Sequence, residues 1–418
     1  MEDSVISRLS PGNFPFDLGL LPQPVYMVGG AVRDAILGRS REYFDMDFVL
    51  PTDAIQVAQQ IAKYYQAGFV ILDPERKIAR VVFPDATVDF AQQEGDNIET
   101  DLHRRDFTVN AIAYNPHTQE IIDPLQGCMD LTGQLLRMIS PQNLADDPLR
   151  FLRAYRQASQ LDFTIEPHTQ TTIRSLASKI TQVAVERVRV ELGYLLGSQA
   201  GTPWLYSAWS DGLLTSFFPH ATEESFSKLA PIDTAAEKLA QTWKPLGRQL
   251  QEYIRDTVKT TWWSAAKLAC LVHPQPETAA NELNAMTYSR AEIKAVTTSL
   301  RLLPQLKAGQ MSLREKYFFF REAGKVFPTV VLFAFGNGCL VEAIAPVIRH
   351  FLSPDDLVAH PTALVSGEEI MISLNIPASP IIGELLTEVA VAQAEGRVST
   401  TEEAIAWAEH LIEGRRDR

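Results

Sequence analysis

Two aspartates two positions apart, Asp45 and Asp47 in FDMDFVL, constrain this chain more than any other feature. Residues i and i+2 of a β-strand point to the same face, so the carboxylates project together while Phe44, Met46 and Phe48 face the other way into a core. Like charges held side by side on a half-buried strand are costly unless a cation sits between them. The expected cation is Mg²⁺, a hard ion that takes carboxylate oxygens and keeps positions open for water and substrate phosphate. Upstream, VYMV runs into Gly29-Gly30 and then AVRDAILG, the pattern of a strand turning into a helix. Such a turn presents backbone N–H groups where the helix dipole favours an anion. Glycines alone would mean only a tight turn; next to a carboxylate pair they point to phosphoryl or nucleotidyl transfer. Asp89 in ATVDFAQ lies on another candidate strand, with Val88 and Phe90 facing inward. It is either a third carboxylate beside the pair or a polar residue at an exposed strand end.

A chain of 418 residues with 46% hydrophobic content exceeds one ordinary domain, so two to four are expected in a soluble, multi-domain protein. Up to about Ile139, short β-rich runs (VYMV, DFVL, FVIL, ARVVF, TVDF, EIID) alternate with helical stretches such as DAIQVAQQIAKYY, which predicts a small mixed sheet with helices. From Pro148 onward apolar residues recur at helical spacing and no strand is expected. Breaks are placed at PQNLADDP, at Gly201 to Pro203 and at LSPDDLVAHPTAL. Cys128, Cys270 and Cys339 are far apart and form no CxxC pair, which argues for reduced core thiols in the cytoplasm rather than disulfides or zinc. No apolar run approaches the ~20 residues of a membrane span. The net charge of −13 argues against a nucleic-acid partner, but Arg137, Arg150, Arg153, Arg156, Arg174, Lys179, Arg187 and Arg189 crowd one region and predict a local basic surface.

Beyond the opening stretch come RRDFTVNAIAY (Arg104 to Tyr114), DPLQGCMDL, ADDPLRFLRAYR (Ala145 to Arg156) and AVERVRVEL. In order and spacing these motifs resemble class II tRNA nucleotidyltransferases, the group of CCA-adding enzymes and bacterial poly(A) polymerases. The helical C-terminal part is similar more loosely. The resemblance implies an α+β protein: a polymerase β-like nucleotidyltransferase head (1–140, a small mixed β-sheet with helices), then an all-α neck (141–200), body (201–360) and tail (361–418). It implies that Asp45 and Asp47 ligate Mg²⁺ and help activate the 3′-hydroxyl of the tRNA; Asp89 stays a candidate third catalytic carboxylate on its strand position alone. Gly29, Gly30, Arg33 and Arg105 would contact the triphosphate, with Asn110 in the same motif. Asp147 and Arg150, read as i, i+3 neighbours on one helix face, would address the edge of the incoming base, and Arg153 and Arg156 would contact nucleotide. A carboxylate accepts from the exocyclic amino group that C and A carry, while a guanidinium donates to ring acceptors. The family usually has Glu where this chain has Asp146.

The implied partners are CTP, ATP and the 3′ end, acceptor and T arm of tRNA, with no stable protein partner and no membrane. Only FAQQEGDNIETDLH, Phe90 to His103, separates Asp89 from Arg104. CCA-adding and A-adding members typically carry a longer flexible loop there, so the resemblance favours an enzyme that stops at CC. The alternatives are full CCA addition or a poly(A) polymerase and, more remotely, an inactive RNA-binding relative. A metal phosphohydrolase site is not expected, because His273 in LVHPQPE is followed by Pro274.

Overall fold

The computed structural model describes residues 2–39, 44–255 and 258–416, and the Phe44 side chain falls outside what is described. The chain divides into two compact units, Met1–Glu191 with Ser207–Leu213, and Leu192–Tyr206 with Leu214–Arg418.

The first unit is built on a seven-stranded mixed sheet: β1 (Tyr26–Val28), β2 (Phe44–Leu50), β3 (Gly68–Asp73), β4 (Ile78–Val82), β5 (Ala86–Gln92), β6 (Ala113–Asn115) and β7 (Glu120–Ile122), in the order β3-β4-β5-β2-β1-β6-β7. The alternation in FDMDFVL and ATVDFAQ decides which side of the sheet is dry. Met46, Phe48, Val88 and Phe90 are buried on one face, where Phe48 stacks on Phe90 at 5.6 Å between ring centroids. The aspartates consequently line the opposite face. Helix α1 (Gly30–Ile36) follows β1 directly, and α2 (Ala54–Tyr65) follows β2, started by Asp53, whose carboxylate accepts from the N–H groups of Ile55 and Gln56. Next come α3 (Ile98–His103), α4 (Pro141–Asp146), α5 (Leu149–Leu161) and α6 (Val185–Leu196). Strand β6 begins inside RRDFTVNAIAY and ends one residue beyond it, outside the β-rich runs of the sequence.

The stretch beyond Pro148 is mainly helical, but not without strands. Strand β9 (Thr164–Ile165) pairs in parallel with β8 (Leu135–Leu136), and β10 (Tyr253–Arg255) pairs antiparallel with β11 (Val258–Thr261) in the second unit. Each is too short for alternation to register in the sequence, although YIR and VKTT have β-branched and aromatic content.

The second unit is helical around α7 (Leu229–Thr242), α8 (Trp262–Leu271), α9 (Arg290–Ala308), α10 (Leu313–Ala323) and α11 (Phe327–Gly336). Ser264 to Leu271 of α8 are all buried, including Lys267 at 0% exposure. That ammonium survives burial because Asp233 of α7 lies 2.9 Å away and the Ser198 carbonyl accepts from it at 2.9 Å. The C-terminal helices α12 (Gly367–Ser373), α13 (Pro380–Ala394) and α14 (Thr401–Arg416) share a small core of Ile370, Leu385, Val389, Ala404 and Ala408. Among the described residues no helix is long and apolar enough to cross a membrane.

Candidate active site

The carboxylate row is assembled by strand register. Strand β2 runs parallel to β5, placing Asp45 opposite Thr87 and Asp47 opposite Asp89, while antiparallel β1 sets Val28 opposite Asp47. Asp45 is exposed and accepts a 2.8 Å hydrogen bond from the Thr87 hydroxyl. Among the described residues no side chain hydrogen-bonds the Asp47 carboxylate. Burial pushes Asp47 up to about 6, with the Arg105 guanidinium pulling it down and the Asp89 and Asp45 carboxylates pushing it further up. A part-buried carboxylate with carboxylate neighbours and no bonded partner is the environment a divalent cation relieves. No cluster of three or more metal-ligating side chains occurs among the described residues. The donor set is thus two carboxylates on one face, which suits an ion that completes its shell with water and phosphate oxygens.

Asp89 is in register with Asp47, yet both of its oxygens are taken. Arg80 of β4 faces it and binds it bidentately, Nε at 2.7 Å and Nη2 at 2.8 Å. Pattern reading missed Arg80; the only sequence trace of it is a lone cation inside the apolar run ARVVF.

Gly29 closes the other side. Its φ of +73° is open to glycine at little strain, and a Cβ there would lie 3.2 Å from Asp47 Oδ2 and 3.7 Å from an Arg105 nitrogen. The strand-to-helix turn, Asp47 and Arg105 therefore converge on one spot. Arg105 is held by Asp101 at 3.1 Å. Gly30 opens α1, with Arg33 Nη2 3.6 Å from where its Cβ would be.

Arg33 and Asn110 lie deeper, in a buried polar network. Arg33 donates to Asp34 at 2.9 Å and to the Asn110 carbonyl at 2.8 Å, and the Asn110 amide donates to Asp106 and to Gln157, both at 2.9 Å. Arg153 reaches the other Asp106 oxygen at 2.8 Å. Burial alone would raise Asp106; Arg153, the Asn110 amide and the Phe107 N–H outweigh it and bring the carboxyl down to about 2. Asp106 and Gln157 were not among the sequence candidates, although Gln157 lies four positions beyond Arg153 on α5 and so shares its face.

Asp147 and Arg150 are not neighbours on one helix. Asp147 ends α4 in an extended conformation, Pro148 caps α5, and Arg150 stands in its first turn. The cause is local, since the residue before a proline is pushed out of the helical region. The Arg150 guanidinium donates to the carbonyls of Arg104 (3.1 Å) and Asn143 (2.8 Å), whereas Asp147 accepts from Arg187 at 3.0 Å. Asn143 also donates to the Arg105 carbonyl at 2.7 Å, so the RRD turn and the start of α5 are tied together. Arg156 points elsewhere, to Glu191 at 2.5 Å and Gln160 at 2.8 Å.

The basic crowd expected between Arg137 and Arg189 is largely neutralised within the fold. Arg137 pairs with Asp130, Arg153 with Asp106, Arg156 with Glu191, Arg174 with Asp211 and Arg187 with Asp147. Apart from Asp130, seven residues before Arg137, the carboxylates that claim these cations lie 35 to 47 positions away, so spacing along the chain does not reveal them.

Three family models match in sequence order: "Poly A polymerase head domain" over 25–137, "Probable RNA and SrmB- binding site of polymerase A" over 162–224, and tRNA nucleotidyltransferase domain 2 over 255–408. A Synechocystis sp. protein named CC-adding tRNA nucleotidyltransferase is 48% identical over 402 residues, spanning 95% of this chain and 96% of that protein. The chain belongs to the tRNA nucleotidyltransferase and poly(A) polymerase family. A Deinococcus radiodurans protein named A-adding tRNA nucleotidyltransferase is 30% identical over 94% of this chain and 96% of its own length. The fold is likewise that of a CCA-adding enzyme solved with ATP, at a TM-score of 0.71 and 21% identity, covering 94% of this chain and 91% of that one. The protein is thus an enzyme of the nucleotidyltransferase class with the α+β architecture expected from its motifs.

In this nucleotidyltransferase the segment after Asp89 is short and folded. Asn97 caps α3, Glu94 N–H donates to Asp101, and Glu94 pairs with Arg104 at 2.7 Å. Only residues 93–97 lie outside regular structure between β5 and α3.

Proposed function

We propose that this enzyme adds C residues to the 3′ end of tRNA and stops at CC. The observation that carries the subtype is the shortness of the segment from Gln93 to Arg104, five irregular residues and the short helix α3, which leaves no room for the longer loop associated with the switch from C to A. The near full-length match to a protein named as CC-adding supports the same reading. The domains follow as nucleotidyltransferase head 1–140, neck 141–200, body 201–360 and tail 361–418, in a cytoplasmic protein.

Asp45 and Asp47 would hold Mg²⁺. The bound ion supplies Lewis-acid stabilisation of charge on the α-phosphate and lowers the pKa of the attacking hydroxyl. The tRNA 3′-hydroxyl gives its proton to solvent as its oxygen bonds to the α-phosphorus of CTP, the bond from that phosphorus to the bridging oxygen breaks, and pyrophosphate leaves with the electron pair. Arg105 and the Gly29-Gly30 turn face the triphosphate. Arg33, Asn110 and Arg153, locked together through Asp106 and Gln157, form the platform that holds this turn against α5. Asp89 acts as the anchor of Arg80, which keeps a positive charge beside the carboxylate row. Asp147 accepts from the amino group of the base and Arg150 donates to its ring acceptors, with Arg156 fixing the same helix.

The test is to incubate the enzyme and Mg²⁺ with tRNA lacking CCA, supplying CTP alone or CTP with ATP, and to size the products. Two added residues in both reactions are expected. A third residue only when ATP is present would make this a full CCA-adding enzyme and remove the argument from the short segment; growth by many A residues would make it a poly(A) polymerase.

A further inference from the structure

The arginines around the candidate active site are paired within the first unit, but the second unit holds cations with no such partner. Arg290, Lys294 and Arg301 lie on α9 at positions i, i+4 and i+11, one stripe of the helix running roughly 16 Å. Together with Arg321 of α10 they line a groove of about 620 Å³ whose floor includes Thr297 and Thr298. All four cations are exposed. Among the described residues no carboxylate lies within ion-pairing distance of Arg290, Lys294 or Arg321; Arg321 donates only to the Thr387 hydroxyl, at 3.2 Å. Arg301 pairs with Glu322 at 2.8 Å, an exposed contact of little energy that a stronger anion displaces.

Unneutralised cations gathered in a groove of a protein with a net charge of −13 raise the local potential against the trend of the whole molecule. A polyanion with regularly spaced charges matches a linear stripe of this kind. Resting on the tRNA reading above, we infer that this groove binds the phosphodiester backbone of the RNA substrate through Arg290, Lys294, Arg321 and a released Arg301. The contact is to phosphate, so it sets affinity and not base choice.

The test uses the full-length enzyme and measures tRNA affinity as a function of salt, beside steady-state kinetics. Arg290→Ala with Lys294→Ala is expected to lower the slope of log K against log salt by about two, since each phosphate contact contributes ~0.9. The difference between affinities at 50 and 200 mM salt should then shrink roughly tenfold. KM for tRNA should rise while kcat and KM for CTP stay within about twofold, and the charge-preserving pair Arg290→Lys, Lys294→Arg should restore binding. Glu322→Gln, which frees Arg301 and removes the groove's carboxylate, should shift affinity the opposite way, tightening tRNA. An unchanged slope in the double variant with an unchanged melting temperature overturns the groove, as does weaker binding of Glu322→Gln. Binding is read independently of nucleotide addition. An enzyme that binds tRNA through these residues but adds no nucleotide would sink the functional reading and leave the groove standing.

Discussion

Asp47 and Asp106 are aspartates of the same sheet-based unit, both turned away from bulk water, and their carboxyls move in opposite directions. Asp47 rises to about 6, whereas Asp106 falls to about 2. Burial pushes both upward, so the difference lies in what surrounds them. Asp106 receives Arg153, the Asn110 amide and a backbone N–H. Asp47 receives no hydrogen bond from a side chain among the described residues and faces two further carboxylates in its row. One region is a finished electrostatic structure and the other is incomplete until a cation arrives. Structural and reactive charges thus occupy the same unit, joined through adjacent Arg105 and Asp106: a Cβ on Gly29 would lie 3.2 Å from Asp47 and 3.7 Å from an Arg105 nitrogen.

The sharpest way to break this comparison is to remove the charge from the incomplete side. Asp47→Asn is expected to lower the rate of nucleotide addition by about 10³-fold or more, with tRNA affinity within about twofold. Stability should move the other way. The folded carboxyl binds its proton more tightly than the unfolded one, so the native state loses stability as pH rises from about 4 through about 6. Without metal at pH 8 the variant should therefore be more stable than the parent, on the order of 2 kcal/mol. Added Mg²⁺ should raise the melting temperature of the parent and leave the variant unmoved. A parent enzyme indifferent to Mg²⁺ in that melt would remove the assignment of Asp47 as a ligand.

On the finished side the sign reverses. Asp106→Asn leaves Arg153 facing an uncharged amide in a buried site and is expected to destabilise the fold by about 2–3 kcal/mol. The folded carboxyl is depressed, so its contribution is complete above about pH 4 and disappears as pH falls through about 2, about 2 kcal/mol in all. Urea unfolding of parent and variant at pH 6 and at pH 2.5 isolates it: the difference between the two proteins should narrow at the lower pH. A gap that stays constant with pH would mean that Asp106 acts through packing and not charge.

These two regions were unequally legible in the sequence. The β2 row could be read directly because a period of two assigns every residue of FDMDFVL to a face, and Met46 and Phe48 leave the aspartates only the other one. The Asp106 network joins residues 33, 106, 110, 153 and 157, and no short-range rule connects them all; Arg153 and Gln157 are four apart on α5, and Asp106 and Asn110 are four apart without sharing a helix. Asp147 shows a different failure. Its neighbour Pro148 breaks the helix, so the i, i+3 spacing to Arg150 does not amount to a shared helix face. The arginines between Arg137 and Arg189 looked like a surface because charge density was visible and their partners were not. Asp211, which holds Arg174, lies 37 positions along the chain.

The smallest effect tests which side of the comparison Asp89 belongs to. It stands in the carboxylate row opposite Asp47, which argues for the reactive side, but Arg80 occupies both its oxygens, which argues for the structural one. A metal ligand must offer an oxygen, and an oxygen already accepting from a guanidinium at 2.7 Å is a poor donor to a cation. Asp89→Asn should accordingly slow nucleotide addition by only about tenfold, near 1.4 kcal/mol, against the ~10³-fold expected at Asp47. Arg80→Ala should have an effect of the same size, because it leaves Asp89 as an uncompensated third charge beside Asp47. The double variant should be no worse than either single one, since removing both partners leaves neither charge alone. A Mg²⁺-induced melting shift that survives in Asp89→Asn places the residue with Asp106 as part of the support. Losing that shift, with a rate as low as that of Asp47→Asn, would instead make Asp89 a third ligand whose bond to Arg80 opens when the ion binds.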